Sequence, residues 1–258
     1  MFESRTLFES AVALYEPINE YKPVSDGAGI ADGPLVSMSF PGMNSLKVPF
    51  PTRMTIVKLQ NGELWLHSPI AFDSTLAGTL SEIGPVRHLV SPNKLHYAHL
   101  AAWSKQFPDA LVWASPGVRS RARSQGQEVR FDRDLGPSAP DDWRDDLRQT
   151  MIPGRFLSEV VFFHEASKTL ILADSIQNFE LDKLKQPYRF LVWLSGAYAP
   201  RGQMPLDLRS TFWLKRREVR QAVREMIAWA PERIILSHGC CIEQDAVEAL
   251  RYAFRWAL

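Results

Sequence analysis

Between Met54 and Ser115 the apolar residues change period repeatedly, and this alternation constrains the fold more than any other feature of the chain. "MTIVKL" and "LWLHSP" read as two strands joined through Asn61-Gly62, a dipeptide that readily takes the positive φ of a tight hairpin. In "STLAGTLSEI" (74–83), Leu76, Leu80 and Ile83 share one helical face, with Asp73 or Ser74 as its cap. Gly84-Pro85 ends that helix. "VRHLVS" is then a short buried strand that stops at Pro92, and from Asn93 the pattern turns helical through Leu100, Trp103 and Phe107 as far as Pro108. "ALVWAS" (110–115) is strand again. Strands alternating with helices predict an α/β fold in which helices cover a sheet.

The second half repeats the theme. "FLSEVVFFH" and "KTLILAD", divided by "EASK", predict a hairpin whose later strand is apolar enough to be interior. Residues 181–199 read as a half-buried helix, and 216–229 as a helix with Val219, Val223, Met226 and Ile227 on one side. "RIILSHG" is a strand, and a last helix carries Val247, Leu250 and Phe254. The expectation is a single domain over 1–258 with two central sheets and helices outside. Two stretches fit less well. Residues 1–53, with "DGAGIADGP" and "FPGMNSLKVPFP", are expected to be an irregular amino-terminal segment approaching short edge strands. Residues 119–148 are expected to be a charged excursion, a lid or an interface, in which Arg119, Arg121 and Arg123 are answered by seven acidic residues.

Charge and cysteine usage narrow the function classes. Thirty Lys and Arg against 29 Asp and Glu leave a net charge of +1, so no nucleic-acid or membrane partner is expected from the whole. A small-molecule substrate and a homo-oligomer remain open. The only cysteines, Cys240 and Cys241, are adjacent and make no disulfide framework, which points to a reducing compartment. The amino terminus lacks a signal-peptide core, and "FLVWLSGAYA" is far short of the ~20 residues that cross a bilayer. Cytoplasmic localisation is the expectation.

Side chains that do chemistry in layered α/β folds gather where strands finish. Three apolar strands here end in potential metal ligands: the strand to Ser91 leads to Asn93, His96 and His99, the strand to Leu172 leads to Asp174, and the strand to Leu236 leads to His238. Imidazole nitrogen and carboxylate oxygen suit zinc, iron or manganese. His96 and His99 share a face if the helix has begun by then. A carboxylate directly after "TLILA" is costly unless a cation or donors satisfy it, so Asp174 is both ligand and catalytic candidate. Asn93, read first as a helix cap, and His67 and Asp73, at the exit of the early hairpin, are expected to support the ligands from behind. His164 is expected at an exposed turn, and His88 to pack locally.

"LWLHSPI", "GPVRHLVSPNKLHYAHLAAW", "PDALVWASPG", "VVFFHEASKTLILADSIQNF" and "IILSHG", spanning about 200 residues, resemble the DUF4336 domain family. Through the order of its elements the chain also resembles the metallo-β-lactamase fold. The resemblance implies a four-layer αββα sandwich, one or two metals bound between its two sheets, Asp174 in place of the bridging acidic ligand and His238 in place of the last histidine. Two departures stand out. The His-x-His-x-Asp-His loop is replaced by "SPNKLHYAHL", and "IPGRFLSEV" holds no counterpart of the middle histidine. The implied site is one divalent metal, zinc first, iron or manganese next, or none, held by His96, His99, Asp174 and His238. The implied activity is hydrolysis of an ester, thioester, lactone or phosphoester. The alternative is a non-catalytic binding or scaffold protein on a degenerate version of the fold.

Overall fold

A computed structural model describes residues 11–40 and 43–258, without the side chains of 38–40, 43–48 and 207. A seven-stranded sheet is built in chain order from β1 (Lys22–Ser25), β2 (Ala28–Phe40), β3 (Met43–Lys58), β4 (Leu64–His67), β5 (Val86–Ser91), β6 (Leu111–Ala114) and β7 (Arg133–Asp134). A four-stranded sheet follows from β8 (Leu147–Ile152), β9 (Glu159–His164), β10 (Thr169–Leu172) and β11 (Arg233–Leu236), in the order β11-β10-β9-β8. The helices are α1 (Ser74–Ile83), α2 (Leu100–Gln106), α3 (Val118–Ser124), α4 (Tyr188–Ser195), α5 (Leu206–Ser210), α6 (Arg216–Ala228) and α7 (Ala246–Ala253). Among the described residues no helix is long and apolar enough to cross a membrane.

Strand periodicity sorts the core into layers, because successive side chains point to opposite faces. Trp65, Val90, Trp113, Phe162 and Ile171 form a cluster in the seam between the sheets, joined by Trp143. Their neighbours Leu64, Leu66, Leu89 and Val112 face outward onto Leu76, Leu80, Leu100 and Trp103 of α1 and α2. Val161, Phe163, Leu170, Leu172, Ile234 and Leu236 face the other way, onto Val219, Val223 and Met226 of α6 and Leu250 of α7. The result is helix, sheet, sheet, helix. Each wholly buried large side chain contributes roughly 1.5–3 kcal/mol by leaving water, and the seam aromatics also meet edge to face, as Trp65 and Phe162 do at 4.8 Å.

The expected irregular segment over 1–53 gives way to regular sheet within its described part. β2 and β3 pair antiparallel from Ala28↔Val57 to Gly33↔Thr52 and, past a register break, onward from Val36↔Phe50. The glycines that read as loop signals serve close packing. A Cβ at Gly29 would strike the Tyr21 ring, and one at Gly33 would meet Thr52 and Ile70. Pro34 sits at the register break, where the ladder needs no donor from it. The readings made on residues 1–10 and on Pro41-Gly42 lie outside the described residues.

The 119–148 excursion is also partly structured. It begins in α3, contributes β7, and drives Trp143 and Leu135 into the seam, while Arg119, Asp134, Asp141 and Arg144 remain exposed. The helix expected from Asn93 starts only at Leu100, so residues 93–99 are a run of turns. His164, expected to be exposed, is buried, because its Nδ1 lies 2.7 Å from Ser167 Oγ beneath Gly27. His88 packs locally as expected, with Trp113 Nε1 donating to its Nδ1 at 3.3 Å.

Candidate metal centre

Strand register brings Asp174 and His238 together. β10 and β11 are parallel with Leu172 opposite Leu236, so both side chains emerge two residues beyond the same rung. The loops after them are clipped to each other. Asn178 N donates to His238 O at 3.2 Å, and Cys240 N donates to Asn178 O at 2.9 Å. Gly239 makes the clip possible: its φ is +90, and a Cβ there would run into the Asn178 carbonyl. From the large sheet, the buried Arg53 donates to Leu236 O at 2.9 Å and Gly239 O at 2.6 Å, and its Nε donates to Asp32 at 2.9 Å. His96 arrives from the loop after β5, whose Pro92 carbonyl accepts from Val160 N at 2.9 Å and so ties the two sheets together beside the site.

Among the described residues His96, Asp174 and His238 form the one His/Cys/Asp/Glu group able to hold a metal, with donor atoms within 4.8 Å of one another. His96 Nε2 is 3.1 Å from Asp174 Oδ2, and His238 Nε2 is 3.3 Å from Asp174 Oδ1. The opposite nitrogens are held too. His238 Nδ1 is 2.8 Å from the Pro51 carbonyl, and His96 Nδ1 is 2.5 Å from Ser68 Oγ. Ser68 reaches that position from a left-handed backbone at φ +56, a conformation a serine adopts only where its surroundings hold it.

This arrangement fits a cation. A carbonyl only accepts, so His238 Nδ1 carries a proton, and the neutral ring would aim the Nε2 lone pair at a carboxylate oxygen 3.3 Å away. That opposition is favourable only with positive charge between or upon the two groups, either a metal ion or a second ring proton. The electrostatics agree. Burial would raise the Asp174 carboxyl, but the two imidazoles outweigh it and hold the group well below the usual carboxylate range. Burial would lower His96, but Asp174, with help from Glu159, outweighs that and raises it. Second partners that fix ring orientation are what metal-binding histidines normally carry. The geometry supplies two nitrogens and one carboxylate, a set suited to a single ion with open positions.

Behind the ligands lies a carboxylate the sequence reading missed. Glu159, from the segment without a middle histidine, is fully buried at the start of β9. It accepts from Ala173 N at 3.0 Å, from Asp174 N at 2.7 Å and from Ser175 N at 3.2 Å, and so holds the backbone that carries Asp174. Asn93 spans the two acids, its Nδ2 donating to Glu159 at 3.1 Å and to Asp174 Oδ2 at 2.8 Å, while its Oδ1 accepts from Leu95 N. Asn93 is therefore less a helix cap than the amide that keeps two buried carboxylates apart. Burial and the neighbouring Asp174 raise the Glu159 carboxyl, and the backbone donors offset part of that rise. An acid directly before the apolar "VVFF" of an interior strand was a usable signal, by the same argument that singled out Asp174.

Three other expected residues stand apart from this group. His99 lies immediately before α2, outside the ligand cluster, with its Nε2 buried and unpartnered. The two histidines do not share a helical face because the helix begins after both. Asp73 caps α1 through Leu76 N at 2.9 Å and makes no hydrogen bond to the cluster. His67 is wholly buried, stacked on Trp65 at 5.6 Å and edge-on to Phe162, with neither ring nitrogen bonded. Burial, then the charge of His96, pushes it down to about 3. A histidine depressed this way costs the fold nothing above its unfolded value near 6.5, and it subtracts stability as pH falls toward its folded value. The loss reaches up to about 5 kcal/mol near pH 3. His67→Phe should flatten that acid limb of the unfolding curve; an unchanged slope between pH 6.5 and 3 in urea titrations would disprove it.

Comparison with known proteins identifies the fold that carries this site. The chain is similar in structure to TMB-1 (13% identity, TM-score 0.60, covering 92% of this chain and 97% of that one). It is also similar to the metallo-beta-lactamase FIM-1 from Pseudomonas aeruginosa in its mono-zinc form (14% identity, TM-score 0.58, 96% and 98%). The Flv1 flavodiiron core from Synechocystis sp. PCC6803 matches at 13% identity and TM-score 0.59, over 96% of this chain and 61% of that one. At such identities the likeness establishes the fold, which is that of the metallo-β-lactamases. No curated protein matches the chain. The family described as a domain of unknown function, DUF4336, matches residues 41–185, more than half the chain, and the chain therefore belongs to the DUF4336 family.

Proposed function

We propose that this protein is a metal-dependent hydrolase with a mononuclear site of His96, Asp174 and His238, acting as one domain on a small ester, thioester, lactone or phosphoester. The observation that carries the reading is the opposition of His238 Nε2 and Asp174 Oδ1 at 3.3 Å, with the far nitrogen committed to Pro51. A divalent ion there would supply Lewis-acid polarisation of the electrophile and lower the pKa of water. The chain's own residues do the rest. Ser68 and the Pro51 carbonyl fix the two rings. Glu159 holds the backbone amide of Asp174, and Asn93 donates to its carboxylate, whose oxygens can accept a proton at the site. Mixed nitrogen and oxygen donors favour zinc, with iron or manganese next.

Two unpaired cysteines support a reducing, cytoplasmic setting. Arg119 is engaged by Asp134 at 2.7 Å, which speaks against phosphate contacts in that stretch. Elemental analysis of protein purified without chelator or affinity metal tests the proposal. Close to one zinc, iron or manganese per chain is the expected result, together with hydrolysis of a model ester or phosphodiester that a chelator removes. Folded protein that stays free of metal after dialysis against each ion would favour the binding-protein reading instead.

A further inference from the structure

Seven of the nine large hydrophobic side chains that stand exposed among the described residues fall between Phe190 and Leu214. α4 is the centre of this face. Its inner stripe, Tyr188 and Val192, packs on Phe179 and Leu184, yet Phe190, Leu191, Trp193 (52% exposed) and Leu194 (58%) point outward. Apart from the exposed Arg189 and the terminal Ser195 the helix is apolar on its outer side too, and such a surface calls for cover. Beyond its carboxyl end lies a depression of about 590 Å³ lined by Trp193, Leu194, Tyr198, Arg201 and Tyr252. The Arg201 and Arg255 guanidinium groups lie over the Tyr252 ring at 5.5 and 4.1 Å, and the pKa of the Arg209 guanidinium of α5 is lowered first by partial burial and then by the charge of Arg255. None of these three arginines has an ion-pair partner among the described residues.

Charge is concentrated in the same stretch. Residues 183–217 hold eight lysines and arginines against one aspartate, a net of +7, in a chain whose total is +1. The expectation of no membrane partner rested on that near-neutral total, which averages over the asymmetry. We propose that this face docks on an anionic bilayer surface. Phe190, Trp193 and Leu194 enter the boundary between headgroups and acyl chains, and phosphodiester groups sit among Arg201, Arg209 and Arg255 beside Tyr252. An exposed tryptophan among exposed aliphatic side chains, flanked by arginines, is the composition of interfacial segments. A second copy of the chain is the poorer occupant, because a two-fold contact through this face would crowd unpaired arginines against arginines.

Co-sedimentation of the full chain with vesicles tests the proposal, using phosphatidylcholine alone and phosphatidylcholine mixed with phosphatidylglycerol. Binding is expected only to the anionic vesicles and should weaken as salt is raised. R201Q/R255Q should lower the partition coefficient roughly 25-fold, about fivefold for each charge removed. W193E/L194E, on exposed positions, should abolish binding at an unchanged melting temperature. Equal binding to neutral vesicles, no binding to anionic ones, or binding that both variants leave intact would each overturn the proposal. So would a concentration-dependent dimer in sedimentation velocity that W193E/L194E dissolves, since a second copy would then own the face.

Discussion

Asp174→Asn is expected to weaken metal binding by ~10²–10³-fold while leaving the protein folded. A four-ligand structural zinc site is worth about 10–16 kcal/mol, so one ligand carries about 2.5–4 kcal/mol, which is close to that factor in Kd. Asparagine keeps the shape and can still accept through one oxygen. It removes the negative charge that both Nε2 atoms face at 3.1 and 3.3 Å, and it offers them an amide in place of a second oxygen. His96, raised by Asp174, should lose most of that elevation in the variant, a change visible in the titration of its ring protons. Competition with a chromophoric chelator measures the affinity. Asp73→Asn is the control, since that carboxylate caps α1 and lies outside the cluster. Equal losses in the two variants, or none in the first, would dissolve the metal site.

Glu159→Ala should be the most destabilising single change at the site. It strands the Ala173, Asp174 and Ser175 amides in a wholly buried position and takes from Asn93 one of its two acceptors. Breaking a buried charged network costs about 3–5 kcal/mol, a large share of the 5–15 kcal/mol typical of a whole domain. At about 2–4 °C per kcal/mol for a chain of this size, the melting temperature should fall by roughly 6–20 °C. Glu159→Gln should cost less, because its carbonyl oxygen still accepts, but its amide group turns a donor toward donors. An alanine variant melting with the native protein would show that solvent or another acceptor serves those amides. Metal affinity lost in a Glu159→Gln variant that remains stable would separate the positioning of Asp174 from support of the fold.

Much of the architecture was legible in the linear chain. Switches between period two and period three-to-four located β4, α1, β5, β6, β9, β10, α6 and β11, because a strand or helix buried on one face writes its geometry into neighbouring residues. Asp174 and His238 were legible for a related reason, as polar groups set at the ends of runs too apolar to carry them unpaired. The amino-terminal strands were not, since their glycines answer to Tyr21, Thr52 and Ile70, and no local pattern announces a close approach.

Written along the chain are the alternation of elements and three polar residues at or just beyond the ends of apolar strands. The packing of the layers settles that those residues meet, that the aromatics between the sheets form one seam, that His99 and Asp73 stay apart from the cluster, and that Glu159 joins the expected Asn93 behind it. Periodicity is a property of neighbours along the chain. The site depends on the pairing of Leu172 with Leu236, 64 residues later, and on Arg53 and Pro51 reaching across from the other sheet to the loop that carries His238. Such meetings follow from sheet register and from which side chains fill the space between the sheets, and these are fixed only when all the layers pack at once.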